Sequence, residues 1–124
     1  SLPIDRLAEF VDRASDWVVT HVPEGFLVCY GHVGDGNLHF NINQSSEAAE
    51  KSLLAREPEI RRAIHDLVQE YRGSFSAEHG IGRHKVDELE RYADPVELQL
   101  MQQLKQLLDP NGILNPGKVL RPRH

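Results

Sequence analysis

A single cysteine, Cys29, in 124 residues excludes an intrachain disulfide, and the composition fits a reducing compartment. Long apolar runs are also missing. Nothing approaches the roughly 20 residues that span a bilayer, and the first residues lack the basic-then-apolar order of a secretory signal. The chain has no basic excess, with 14 Lys and Arg against 19 Asp and Glu. Nucleic acid is therefore an unsuitable partner, because affinity for it rests on clustered cations that release counterions from phosphate. The setting these absences suggest is cytoplasmic, with attachment at the periphery of the inner membrane left open for a longer protein. No initiator methionine precedes Ser1-Leu2-Pro3, and a helical pattern starts almost at once, so the chain reads as a piece of something longer. Repeats, low-complexity tracts and interdomain linkers are absent as well. The 40% hydrophobic content supports one modest core, and the expectation is a single domain over residues 1–124.

What is present begins with residues 3–22, where Ile4, Leu7, Ala8, Val11, Ala14, Val18 and Val22 recur at helical spacing. Glu24-Gly25 breaks that pattern. Residues 26–31 then carry the β-branched and aromatic types that suit a strand, and residues 38–43 alternate apolar and polar with period two. After a polar stretch over residues 45–56, Pro58 suits the first turn of a second helix. Its stripe would be Ile60, Ile64, Leu67, Val68 and Tyr71, closed by Gly73 at positive φ. Residues 74–77 suggest a short strand leading into Glu78-His79, followed by Gly80-Ile81-Gly82, whose glycines permit sharp turns. Asp94-Pro95-x-Glu97 starts a further helix to about Leu108. Leu98, Met101, Leu104, Leu107 and Leu108 would face inward, and Asp109-Pro110-Asn111-Gly112 reads as a β-turn.

The passage that carries chemistry is His32-Val33-Gly34-Asp35-Gly36-Asn37-Leu38-His39. If Asp35-Gly36 form a two-residue hairpin turn, His32 faces His39, with Cβ atoms roughly 4.5–5.5 Å apart. Both imidazoles could then converge on one cation at about 2.0–2.1 Å. The same register puts Leu27, Cys29, Val33, Leu38, Phe40 and Ile42 on an apolar face and Tyr30, His32, His39, Asn41 and Asn43 on a polar one. Against this stands the plainer reading, that both histidines are solvated on the open side of a hairpin. Glu78 could add a carboxylate ligand and leave coordination positions open, as catalytic metals do. His79 beside it has useful basicity near neutral pH. Glu78 and His79 could equally be surface residues before a loop. His21, His65, His84 and His124 read as surface or helix-end residues and Cys29 as core. Gly34-x-Gly36 lacks the strand-to-helix context of a dinucleotide site.

Together with the closing run Leu108-Asp109-Pro110-Asn111-Gly112-Ile113-Leu114-Asn115-Pro116-Gly117-Lys118, these two passages resemble the carboxyl-terminal domain of FAD-linked oxidases. That family includes D-lactate dehydrogenases, the glycolate oxidase flavin subunit and D-2-hydroxyglutarate dehydrogenase. The resemblance covers residues 31–120. It implies an α+β fold, a ferredoxin-like antiparallel sheet with helices on one face, forming part of a cap over a separate FAD-binding domain. It further implies that His32, His39 and Glu78 bind a divalent metal, usually zinc, that His79 acts as the base, that Asn41 contacts substrate, and that Asn115 lies near the flavin. The family's FAD-binding domain and the early part of its cap are not in this chain.

The function so implied is the substrate-side part of an FAD-dependent D-2-hydroxyacid dehydrogenase, inactive alone, whose partners are the flavin domain and a small 2-hydroxyacid. In that reading His79 removes the hydroxyl proton while the α-hydrogen leaves as hydride to the flavin. A homodimer stays open. The rivals are a metal-assisted hydrolase and, from another class, a non-catalytic α+β ligand-binding or dimerisation module.

Overall fold

The computed structural model describes residues 1–23, 25–44 and 46–122, and of residues 48 and 49 only the backbone. The readings made above for Glu24, Ser45 and His124 lie outside them. Contacts gather the chain into two compact units, Ser1–Ala77 and Glu78–His124, and each is described by itself.

The first unit opens with one 3-10 turn (Ile4–Arg6) that runs into α1 (Leu7–His21). Leu7, Phe10, Ala14, Val18 and Val22 are buried in line, so the helical stripe is present but its centre differs from the expected one. Phe10, at 2% exposure, replaces Val11 at the middle, and Ile4 stays in solvent at 55%. Positions 10 and 11 both keep helical spacing to Leu7 and Ala14, and the larger ring takes the better-packed place. Phe10 meets Phe40 and Tyr71 edge-on, with centroids at 6.2 and 5.7 Å, an arrangement the ring quadrupoles favour.

Strands β1 (Gly25–His32) and β2 (Asn37–Gln44) form an antiparallel pair. Leu38 and Phe40 pack on the cluster around Phe10, while Leu27, Phe40 and Ile42 pack on the one formed by Val18, Val22 and Ile60. Phe40 belongs to both and joins them. The α+β class with helices on one face of an antiparallel sheet is therefore observed. Cys29 is only half-buried on that face, and burial pushes its thiol pKa up.

Helix α2 (Glu47–Glu70) corrects the expected start at Pro58, which lies inside a helix of 24 residues. Proline in a helix interior withholds a donor and costs about 3 kcal/mol relative to alanine. The helix continues because Leu53, upstream of the proline, packs on the same cluster as Ile60. Full burial of a leucine contributes about 1.5–3 kcal/mol, and Leu53, half-buried there, offsets part of that cost. At the other end Arg72, not Gly73, takes positive φ (55°). The Gly73 N–H reaches back to the Val68 carbonyl at 2.9 Å, as in a Schellman ending. Gly73 is needed for space instead, since a Cβ there would lie 2.5 Å from the Ser1 carbonyl oxygen. The strand expected over residues 74–77 is not formed. Ser74 instead ties to the chain start, its N–H donating to Ser1 at 2.8 Å.

The second unit holds α3 (Val86–Tyr92), a short charged helix that the sequence reading leaves unassigned, and α4 (Pro95–Leu108). Asp94 caps α4 as expected: its Oδ1 accepts from the N–H groups of Val96 (2.8 Å) and Glu97 (3.3 Å). The inward-facing stripe is not realised. No residue of α4 is buried, and Leu104, Leu107 and Leu108 are exposed. Among the described residues of this unit Val86 is the only buried hydrophobic one, so α4 has too little apolar surface beside it. The β-turn after α4 forms, with the Gly112 N–H on the Asp109 carbonyl at 3.1 Å. The buried Asp109 carboxylate braces it, accepting from Lys105 Nζ (2.5 Å) and from the N–H groups of Ile113 (3.0 Å) and Leu114 (2.9 Å).

Candidate functional site

The hairpin loop decides where the two histidines sit. Asp35-Gly36 do not make a two-residue turn. β1 runs on to His32, Val33–Asp35 form a 3-10 turn, and Gly36 closes it at φ 66° with its N–H on the Val33 carbonyl at 3.2 Å. The connection is therefore residues 33–36, a loop built on a 3-10 turn with glycine in the left-handed position. As a result His32 pairs with Asn37 and His39 with Tyr30, which corrects the expected opposition of His32 and His39. The two imidazoles are diagonal neighbours, a relation that separates residues by roughly 7–8 Å where direct opposition gives about 4.5–5.5 Å.

The displacement is by two residues, and side chains alternate with period two, so the faces survive the change of register. His32, His39 and Asn41 lie on the sheet face opposite the helices, together with Phe26, Val28 and Tyr30. Val33 leaves the apolar face for the loop, where it is exposed. His32 is largely open to solvent, its Nδ1 3.9 Å from an Asp35 carboxylate oxygen. The His39 ring stacks on Tyr30 with centroids 5.0 Å apart and planes within 8°. Asn41 is exposed opposite Val28, whereas Asn37, opposite His32, is buried. His65, read as a surface residue, is half-buried against Phe75, the ring centroids 5.2 Å apart.

The loop is latched from outside the hairpin. The Leu2 N–H donates to the Gly36 carbonyl at 2.8 Å, and a Cβ on Gly36 would stand 1.9 Å from the Leu2 carbonyl oxygen. Only glycine fits both the dihedral and the approach.

Glu78 and His79 belong to the second unit and are exposed. They precede Gly80 (φ 64°) and Gly82 (φ 56°), which turn the chain as expected. Asn115 is exposed, at φ 45°, and accepts from the Lys118 N–H at 3.3 Å. The segment it begins is tied to the His79 turn by the Val119 N–H on the Gly82 carbonyl at 2.7 Å. The structure thus gathers His32, His39 and Asn41 on one sheet face, and His79 and Asn115 on two joined loops. Among the described residues no three His, Cys, Asp or Glu side chains gather to hold a metal ion.

Sequence reasoning put Tyr30 on the polar face without pairing it with His39, and assigned no part to Leu2 or Val119. The Tyr30 pairing follows only once the connection spans residues 33–36. The Leu2 latch and the Val119 tie join residues distant in sequence and leave no local pattern.

Residues 1–119 match the family model described as "FAD linked oxidases, C-terminal domain". The chain is 37% identical over 119 residues to a D-2-hydroxyglutarate dehydrogenase of Stutzerimonas stutzeri, covering 96% of this chain and 26% of that protein. It is 49% identical over 126 residues to the mitochondrial D-2-hydroxyglutarate dehydrogenase of Bos taurus, covering 100% and 21%. It is 40% identical over 120 residues to a D-lactate dehydrogenase of Archaeoglobus fulgidus, covering 97% and 25%. The chain spans about a fifth to a quarter of the length of these relatives. No described helix is long and apolar enough to cross a membrane.

Proposed function

The chain belongs to the family of FAD-linked oxidase C-terminal domains, and from that premise we propose that it forms the substrate-side portion of an FAD-dependent D-2-hydroxyacid dehydrogenase. The observation that carries this is the polar sheet face: His32, His39 and Asn41 stand together on the side of the hairpin the helices leave open. Substrates would be small D-2-hydroxyacids of the kind the relatives are named for, D-2-hydroxyglutarate and D-lactate. The partner would be an FAD-binding domain of the same longer protein, and the location that of a protein with no described membrane-crossing helix.

In this mechanism Asn41 donates or accepts a hydrogen bond with the substrate, and His79 accepts the hydroxyl proton. An imidazole nitrogen suits that transfer, since it can accept a proton from a hydroxyl within hydrogen-bond reach. Asn115 would approach the flavin edge. Flavin, when bound, supplies the acceptor for the α-hydrogen as hydride. His32 and His39 fit half of a divalent-metal site, since both imidazoles project from one face and diagonal neighbours remain within reach of long side chains. Glu78 would complete it, and a cation there would polarise the substrate oxygen. No three-donor cluster is present among the described residues, so no step above depends on that ion.

The test is anaerobic reduction of bound flavin in the full-length protein by D-2-hydroxyglutarate and by D-lactate. His79→Gln is expected to slow reduction by about 100-fold or more, the usual contribution of a general base, without releasing flavin. Full-rate reduction by that variant would remove His79 from the chemistry, and no reduction of the parent protein by either acid would refute the dehydrogenase reading. Metal analysis of the parent and of His39→Ala decides the ion separately. Stoichiometric metal lost in the variant supports the ligand set, and metal-free parent protein rejects it.

A further inference from the structure

Val119 has a backbone that its own side chain disfavours. Its φ is 65°, a left-handed conformation that β-branched residues rarely adopt. Such conformations persist where the surroundings over-determine them, and they concentrate at functional sites. What holds Val119 is visible: its N–H donates to the Gly82 carbonyl at 2.7 Å. Gly82 in turn ends the left-handed pair, Gly80 and Gly82, that follows His79. No described heavy atom lies within 4 Å of where a Cβ would stand on either glycine, and within the turn the Ile81 carbonyl accepts from the Lys85 N–H at 3.2 Å. The other end of the same segment is Asn115, also left-handed at φ 45° and joined to Lys118 by the 3.3 Å bond.

We infer that Val119 is a positioning residue, whose strained backbone fastens the Asn115 segment to the His79 turn so that the two loops present their functional side chains as one preassembled piece. The inference rests on reading His79 as the proton acceptor. Side-chain identity at position 119 matters little in this account; the N–H and the left-handed dihedral matter. Val119→Gly keeps the donor and relieves the strain, whereas Val119→Pro removes the donor and forces φ to the opposite sign.

The experiment is hydrogen exchange and steady-state kinetics on the flavin-loaded full-length protein, with D-2-hydroxyglutarate and D-lactate as substrates. In the parent, the Val119 amide should exchange far more slowly than a free amide. In Val119→Pro, amides of residues 79–82 should exchange about tenfold faster, in line with loss of one hydrogen bond. kcat should fall by a similar factor while KM changes by less than about twofold, because a displaced base spoils the transition state more than ground-state binding. Val119→Gly should retain both protection and turnover. An unprotected Val119 amide in the parent overturns the inference even if Val119→Pro fails to fold. So does a folded Val119→Pro with parental exchange and kcat. Full activity in His79→Gln would sink the reading of His79, and the exchange measurements would still decide whether Val119 holds the turn.

Discussion

Gly36→Ala and Gly34→Ala alter neighbouring glycines of one Gly-Asp-Gly sequence and should behave oppositely. Gly36 stands at φ 66°, where alanine costs about 1 kcal/mol relative to glycine. A Cβ there would also fall 1.9 Å from the Leu2 carbonyl oxygen. That contact involves backbone on both sides, so Leu2 has to withdraw, and the 2.8 Å bond from its N–H to the Gly36 carbonyl goes with it, a loss of about 1 kcal/mol. The sum is about 2 kcal/mol. At 4–8 °C per kcal/mol for a unit of this size, Tm should drop by about 8–16 °C. Gly34 has no described atom within 4 Å of an added Cβ and no positive φ, so Gly34→Ala should stay within about 0.5 kcal/mol of the parent. Thermal and urea unfolding followed by far-ultraviolet circular dichroism measure both. Equal stability of the two variants would refute the latch between the hairpin loop and the chain start.

Phe10→Ala removes the ring that edges onto Phe40 and Tyr71 at 2% exposure, and urea unfolding should show a loss of about 3–5 kcal/mol. For Asp109, the hydrogen bond from Lys105 chiefly, and those from the Leu114 and Ile113 N–H groups, hold the carboxyl pKa below its ordinary value of 3.8. A depressed folded-state pKa contributes stability that is present above the ordinary value and is lost as pH falls through the lower, folded one. Acid unfolding of the parent should therefore steepen below about pH 4, and Asp109→Asn should flatten that limb. An unchanged acid limb in the variant would show that Asp109 does not contribute to it.

Much of the candidate site was legible because it depends on parity and local chemistry. Alternation in residues 38–43 assigned His39 and Asn41 to the open face, and that assignment survived a wrong turn because the register moved by an even number of residues. Asp94-Pro95 announced a cap whose geometry is complete within three residues, and the Asp109-Pro110-Asn111-Gly112 turn was equally local. Pro58 misled for the converse reason. Its propensity is a local cost, while Leu53 packing on the Ile60 cluster, the compensation, is tertiary. The leucines of α4 misled in the same way, since periodicity shows that a helix has an apolar stripe and says nothing of whether anything covers it.

The sequence by itself determined that α1, α4 and the two hairpin strands form, which hairpin face is apolar, and which family the chain resembles, because each of these is written in the spacing and type of residues a few positions apart. Tertiary structure alone decided that His39 lies against Tyr30, that Leu2 latches Gly36, and that Val119 holds the turn after His79. Those outcomes depend on how much loop a strand pair accepts and on contacts between residues far apart in the chain. No local rule encodes either, since both are settled by close packing and by the backbone hydrogen bonds that remain to be satisfied once the elements meet.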